Sequence, residues 1–379
     1  MRVTSAVLDA VADSRPYSDS RPLRLTELEL GAPGPRELLV RITAAGLCHS
    51  DLSVINGDRI RPLPMALGHE AAGEVVRVGA SVRDVRPGDQ VTLVYVPSCA
   101  ECAYCRVGEP AMCERGAAAN GAGELLSGGR RLRFPGGGTV HHHLGVSAFA
   151  DHAVVDRSSA VVVDEAVPSA VAALLGCAMS TGYGAVARTA GVGAGESVGV
   201  FGLGGVGLSS VMAARALGAD PIIAVDPVPA KRALALQLGA TIAVPPEQAD
   251  GMFARLPGGG ARWTFEAVGS AAVLAAAFAA TGRGGTTVSA GLPHPSARLD
   301  IPALTVVAEA RTLKGSYMGS TRPQEDIPAM ARLWLEGRLP IERLISAELR
   351  LEDVNLGMER LADGSAIRQI LRPGRETAP

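Results

Sequence analysis

Residues 198–227 read VGVFGLGGVGLSSVMAARALGADPIIAVDP: an apolar run, glycines at 202, 204 and 207 in G-x-G-x-x-G register, an Ala-rich helical stretch and a second apolar run ending at Asp226. The run before and the helix pattern after the glycines raise the motif above a chance match. Gly202 permits a tight turn, Gly204 lets backbone amides approach a pyrophosphate, and Gly207 lets helix and strand pack closely, with Gly205 and Val206 in the same turn. The helix N-terminus then faces the phosphates. Asp226 lies 19 residues beyond Gly207 (226 − 207 = 19), where its carboxylate can accept hydrogen bonds from an adenosine ribose. It would repel a 2′-phosphate, which favours NAD over NADP. The competing reading, a glycine turn that binds nothing, is outweighed once strand, helix and Asp226 are taken together. Lys231 reads equally as a neighbour of the adenosine or as an exposed lysine at a helix start.

The same pattern continues after Leu174. ESVGVFGLGG, DPIIAVD, ATIAV, RWTFEAVG, TTVSAGLP and LKGSYMG are short β-branched runs separated by Ala-rich helical stretches, so a doubly wound parallel sheet of the α/β class is expected. Before it, from ELLVRITAAG (37–46) to GDQVTLVYV (88–96), short alternating segments broken by Gly, Pro and Asp predict a β-rich unit. Residues 115–140, rich in Gly, Ala and Arg without a strong period, read as an exposed insertion loop. The tail from about residue 321 reads as two helices and a strand that pack back onto the first unit. A length of 379 residues fits two domains.

Charge narrows the partners. With 36 basic and 38 acidic residues the net charge is −2, and aromatics make up 3%, so neither the field nor the stacking platforms of a nucleic-acid binder are present. The first 22 residues hold no apolar core of signal-peptide length, and no uninterrupted apolar run reaches the roughly 20 residues of a membrane span. A cytoplasmic protein acting on a small neutral molecule, without a membrane partner, is the expectation.

Six cysteines in such a chain suggest ligands more than disulfides. Cys99, Cys102, Cys105 and Cys113 follow C-x2-C-x2-C-x7-C, a spacing that lets four thiolates close around one tetrahedral, structural Zn²⁺. A redox pair or an iron–sulfur cluster uses the same residue type and ranks below zinc. Cys48 and Cys177 remain, with His69 between them in sequence. Two thiolates and an imidazole leave a fourth position vacant, as an open catalytic zinc site requires. Each of the three alone would pass as a packed core residue.

GLCHSD, LGHEAAGEV, RPGDQV, the 99–113 cysteine cluster, GCAMSTGYGA, GLGGVG and SAIRQIL together give a close resemblance to the zinc-dependent medium-chain alcohol dehydrogenases, in the long-loop branch that includes liver-type and formaldehyde dehydrogenases. The resemblance covers roughly residues 24–371. It implies a GroES-like catalytic domain from residues 1–178 and 319–379, a Rossmann domain from 179–318, NAD and two Zn²⁺ per chain, and a homodimer (or tetramer) joined through the last strand of the sheet. It implies oxidation of a primary aliphatic or aromatic alcohol to its aldehyde. In this likeness Ser50 takes the alcohol proton by hydrogen bonding, Asp51 orients His69, Glu70 sits behind the metal, His49 and Arg368 approach the pyrophosphate, and Thr181 and Val206 border the nicotinamide. Tyr95, Leu292 and Phe149 would line an apolar slot.

The chain departs from the liver-type pattern at Ser53, where many relatives place the histidine that ends the proton relay. Serine is no base near neutral pH, so the pH profile should lack an imidazole-like inflection. The nearest rival activity is thiol-dependent formaldehyde oxidation, which needs basic groups at the pocket mouth; Arg130, Arg131 and Arg133 could supply them or be solvated loop charges. His141, His142 and His143 read as a solvated loop and not as a third metal site, because consecutive side chains diverge. A non-catalytic zinc- and dinucleotide-binding protein is a remote alternative.

Overall fold

A computed structural model describes residues 1–374. The chain divides into two compact units, one of residues 1–177, 322–335 and 341 onward, the other of residues 178–321 and 336–340.

The first unit is built on two β systems. Arg2–Leu8, Leu23–Leu30, Leu132–Arg133, Thr139–His142 and Met65–Ala66 close a small barrel. A seven-stranded sheet runs Ala160–Val162, Gln90–Leu93, Glu70–Val78, Glu37–Gly46, Arg368–Arg372, Ile345–Arg350, with His152–Asp156 also pairing Glu37–Gly46. Glu37–Gly46 is buried almost throughout, as a strand covered on both faces must be, whereas Ile345–Arg350 alternates in exposure at the sheet edge. Leu38, Val40, Ile42, Leu47, Val91, Leu93 and Phe149 belong to the main core.

Two expectations fail in this unit. Residues 115–140 are not an exposed loop: Glu114–Ala122 is a helix, and Leu132–Arg133 with the start of Thr139–His142 forms the hairpin that closes the barrel. The missing period reflects short elements anchored by polar ties. Arg131 donates to the fully buried Glu37 through Nε (2.8 Å) and Nη2 (2.7 Å), a contact 94 residues apart in sequence. The tail also holds one strand more than expected, Ile345–Arg350, paired in parallel with Arg368–Arg372.

The second unit is a six-stranded parallel sheet in the order Ile242–Val244, Ile222–Val225, Val198–Phe201, Ala261–Glu266, Thr281–Ser289, Thr312–Gly315. All six are the runs picked out in the sequence. The order reverses at Val198–Phe201, and open α/β sheets bind ligands at such a switch point. One further difference concerns helix Ser169–Ala190, which is 22 residues long and apolar enough to cross a membrane, although its most apolar window is 89% buried inside the protein. A buried core helix passes the same length and composition test.

Candidate active site and metal centres

Glycines let the chain bring the first ligand set together. Gly46 pairs with Glu70, and a Cβ on Gly46 would come within 2.7 Å of Glu70 Oε1. Gly68, at φ +95, would drive a Cβ to 2.4 Å from the Phe149 amide nitrogen. A Cβ on Gly176 would stand 2.1 Å from the Leu93 carbonyl oxygen, so only glycine lets this helix press against strand Gln90–Leu93. Cys48 then caps helix His49–Ile55, His69 precedes strand Glu70–Val78, and Cys177 sits in the π-helical turn Leu175–Met179, a distortion frequent at functional sites.

The ligand atoms of Cys48, His69, Glu70 and Cys177 lie within 4.8 Å of one another, and all four residues are buried. Cys177 Sγ is 3.5 Å from His69 Nε2. His69 Nδ1 lies 3.1 Å from Asp51 Oδ1, which also accepts from the Gly68 amide at 3.2 Å. Arg368 donates to the Leu47 carbonyl (3.1 Å) and stands 3.6 Å from Glu70 Oε2, while both carboxylate oxygens of Glu70 are buried without a hydrogen-bond partner.

The electrostatics suit a cation. The Cys177 thiol, hydrogen-bonded to Cys48, and the Arg368 charge hold Cys48 well below the usual thiol range against the cost of burial. The same hydrogen bond, burial and the negative charge of Cys48 push Cys177 up. Burial alone would lower His69, but the Asp51 carboxylate and Cys48 outweigh it and raise it well above the ordinary imidazole value. Burial lifts Glu70 to about 7 against the pull of Arg368. Two thiols and an imidazole fixed from behind are three donors that fit Zn²⁺ with one position to spare, and the unsatisfied Glu70 carboxylate lies within 4.8 Å of them.

Cys99, Cys102, Cys105 and Cys113 form the second set, their sulfurs also within 4.8 Å of one another. A zinc tetrahedron with Zn–S of about 2.3 Å sets its sulfurs roughly 3.8 Å apart, inside that limit. Backbone amides already point at the sulfurs: Cys99 and Gly116 donate to Cys113 Sγ at 3.3 Å each, and Cys102 donates to Cys99 Sγ at 3.3 Å. Amide hydrogen bonds hold Cys102 down at about 6, and burial beside its neighbours pushes Cys105 up to about 12.

In the second unit, Gly202 has φ +90, and a Cβ on Gly207 would lie 1.7 Å from the Gly202 carbonyl oxygen. A Cβ on Gly204 would meet nothing within 4 Å, which leaves that face open for a ligand above the N-terminus of helix Gly205–Ala216. Asp226 is buried and accepts from the Leu203 and Val228 amides at 2.8 Å each, so it braces the glycine turn from the next strand. Lys231 is partly buried on helix Pro229–Gln237, and its neighbour Arg232 donates to the carbonyls of Asp226 and Pro227. Thr181 is buried one residue before Gly182, whose Cβ would lie 2.3 Å from the Val206 carbonyl oxygen, so Thr181 and Val206 occupy adjoining backbone.

The remaining expected site residues differ in exposure and contacts. His49 is exposed, and Ser50 and Ser53 are partly buried on helix His49–Ile55. Tyr95 meets His69 edge-on at 5.4 Å, but Phe149 is fully enclosed in the main core, where its backbone is tied to Ala6 and Leu67, and cannot line a slot. Leu292 is 55% exposed in the second unit. Arg131 is spent on Glu37, and Arg130 on Glu124 and the Ala122 carbonyl.

The histidine run is the clearest correction. His142 and His143 are 1% exposed, not solvated. His142 accepts from the Arg131 amide through Nε2, and burial together with the nearby arginines lowers it to about 3. His143 packs edge-on against His69 at 5.4 Å, with Nδ1 3.1 Å from Asp51 Oδ1. Sequence reasoning rejected all three because neighbours diverge; the same divergence lets one of them reach the site.

Residues 34–165 match the family model of the alcohol dehydrogenase GroES-like domain, and residues 205–336 that of the zinc-binding dehydrogenases. The NDMA-dependent alcohol dehydrogenase of Amycolatopsis methanolica is 37% identical over 364 residues, covering 94% of this chain and 96% of that one. Geraniol dehydrogenase of Castellaniella defragrans is 36% identical over 354 residues, covering 92% and 94%. The crystal structure of benzyl alcohol dehydrogenase from Acinetobacter calcoaceticus superposes with a TM-score of 0.91 at 29% identity, covering 99% of this chain and 100% of that one. The fold, the two ligand clusters and these likenesses converge, and the chain belongs to the zinc-dependent medium-chain alcohol dehydrogenase family.

Proposed function

We propose that this alcohol dehydrogenase oxidises primary aliphatic or aromatic alcohols to aldehydes with NAD⁺, holding one Zn²⁺ at Cys48, His69 and Cys177 and another at the four-cysteine cage. The observation that carries the reading is the contrast between the two clusters. Four thiols can close a coordination shell, whereas two thiols and an imidazole leave it open. A Zn²⁺ bound at the open set supplies Lewis acidity that favours loss of the alcohol's hydroxyl proton. Asp51 accepts from His69 Nδ1 and thereby directs the Nε2 lone pair at the cluster. Ser50, two residues after Cys48, offers a hydroxyl that would accept a hydrogen bond from the alcohol and, as it receives that proton, release its own to water, with Ser53 in the relay position. Geraniol and benzyl alcohol, the substrates named for two relatives, are both primary alcohols.

The test is a panel of primary, secondary and aromatic alcohols followed by NADH absorbance, with runs in which NDMA is added as acceptor, since one relative is described as dependent on it. Reduction of NAD⁺ by primary alcohols supports the reading, and no oxidation of any alcohol with either acceptor overturns it. For the cofactor, Asp226 sets the expectation that kcat/KM with NAD⁺ exceeds that with NADP⁺ by about 100-fold, because repulsion between like charges costs several kcal/mol. Asp226→Asn keeps one acceptor for the turn amides and should narrow the ratio about tenfold or more. An unchanged ratio would remove Asp226 from cofactor selection. Thiol-dependent formaldehyde oxidation loses two of its three candidate arginines, since Arg130 and Arg131 are committed to Glu124 and Glu37, and keeps the exposed Arg133.

The proposal includes a homodimer joined at strand Thr312–Gly315. This sheet edge is exposed at all four positions, and the preceding helix Ala303–Ala308 exposes Leu304 (77%) and Val307 (81%). An uncovered edge beside apolar side chains is a template for pairing. Leu313→Pro combined with Val307→Asp should shift the protein from dimer to monomer in light scattering after gel filtration; a dimer that survives both changes is held elsewhere.

A further inference from the structure

We infer a further ligand site on the small barrel of the first unit: an arginine-walled cavity that takes a small polyanion carrying phosphate or carboxylate groups. The site goes beyond alcohol oxidation and does not depend on it.

The cavity measures about 560 Å³, and its walls include Arg2, Glu29, Leu30, Arg130, Arg131 and Arg133; no member of either cysteine cluster lines it. That volume lies within the range of sites for small organic ligands. Barrel pairing sets three of the side chains in one row. Arg2 pairs with Glu29, and Glu29 with Arg133, across adjacent antiparallel strands, so the three stand on the same face. Arg130 and Arg131 come from the two residues before strand Leu132–Arg133, where the Arg131 carbonyl accepts from the Gly31 amide at 2.8 Å.

Four guanidinium groups against one carboxylate give the walls a side-chain charge of +3 (4 − 1 = 3), in a chain whose net charge is −2. The acidic partners of three of these arginines lie outside the walls: Glu27 for Arg2, Glu124 for Arg130 and Glu37 for Arg131. Those pairs fix the guanidinium groups without using up their donors. Arg131 gives Nε and Nη2 to Glu37 and keeps Nη1; Arg130 gives Nε to His141 and Nη2 to the Ala122 carbonyl and Glu124, and also keeps Nη1. Arg2 gives only Nη1 to Glu27, and among the described residues the exposed Arg133 guanidinium has neither an ion pair nor a hydrogen bond. Guanidinium N–H groups match the oxygens of a phosphate or carboxylate, and donors already held in place lose little freedom when an anion arrives. Like charges gathered around a concavity also focus the field and draw counter-ions into it. A ligand with two or more acidic groups meets several of these arginines at once, which a lone chloride or a neutral alcohol cannot do.

The experiment titrates the full chain with inorganic pyrophosphate and with tricarballylate by calorimetry, at fixed ionic strength and with excess NADH to occupy the dinucleotide face. Wild type is compared with Arg133→Glu, Arg2→Ala and a charge-matched control in the second unit, Arg255→Glu, which is exposed and far from the cavity walls in sequence. Arg2 and Arg133 are exposed, so each variant should melt with wild type when no ligand is present. Saturable binding should weaken about tenfold or more in Arg133→Glu and about threefold in Arg2→Ala, with Arg255→Glu close to wild type. Loss confined to pyrophosphate assigns the site to phosphates, loss confined to tricarballylate assigns it to carboxylates, and loss of both assigns it to either group. No saturable binding of either ligand to wild type, or equal affinities in wild type, Arg133→Glu and Arg2→Ala, would overturn the site. An equal loss in Arg255→Glu would also overturn it, as a diffuse response to net charge. If NADH itself fails to bind, the cofactor reading falls, and the comparison of variants still decides this site.

Discussion

Cys48→Ala should leave a folded protein that binds NADH and carries one zinc ion per chain, while turnover falls about a thousandfold or more, since an electrophilic metal is worth several kcal/mol of barrier and each 1.36 kcal/mol is tenfold. The fold should tolerate the change because, among the described residues, the Cys48 side chain makes no capping hydrogen bond to helix His49–Ile55, and Arg368 remains beside Glu70. Metal analysis, NADH fluorescence and steady-state rates check the three parts separately. Two zinc ions retained with more than a tenth of the activity would show that the thiol is not a ligand.

Cys113→Ala should act on stability instead. Its sulfur belongs to the cage and accepts from the Gly116 amide as the N-cap of helix Glu114–Ala122. Few apolar side chains are buried around it, Ala111 among them, so metal coordination must supply the order that a core would otherwise provide. Losing about 3 kcal/mol in a unit of this size lowers Tm by roughly 6–12 °C. Activity should drop as well: Asn120 on that helix donates to the Tyr95 carbonyl at 2.8 Å, and Tyr95 packs edge-on against His69. Differential scanning fluorimetry and limited proteolysis over residues 97–125 check this, and a Tm within about 1 °C of wild type would contradict a structural role for the cage.

What could be read from the sequence divides along a physical line. The six parallel strands were visible because each is a short β-branched run between helical stretches, and the four cage cysteines because their spacing is itself the geometry. Cys48, His69 and Cys177 were legible only in combination, and the structure does bring them together. His143 was not legible. Its proximity to the site depends on the barrel pairing of Met65–Ala66 with Thr139–His142, a contact between segments more than 70 residues apart that no local pattern encodes. Phe149 and Arg131 failed for the same reason, each taken up by a distant partner, the core in one case and Glu37 in the other.

The central claim is that two metal ions are held, one of them by an incomplete set of protein donors. Crystals of the purified protein measured just above the zinc absorption edge test it most directly. The account predicts two anomalous peaks per chain, one among the sulfurs of Cys99, Cys102, Cys105 and Cys113, the other within bonding distance of Cys48 Sγ, His69 Nε2 and Cys177 Sγ. Zinc-replete crystals with a peak at the cage alone would contradict it.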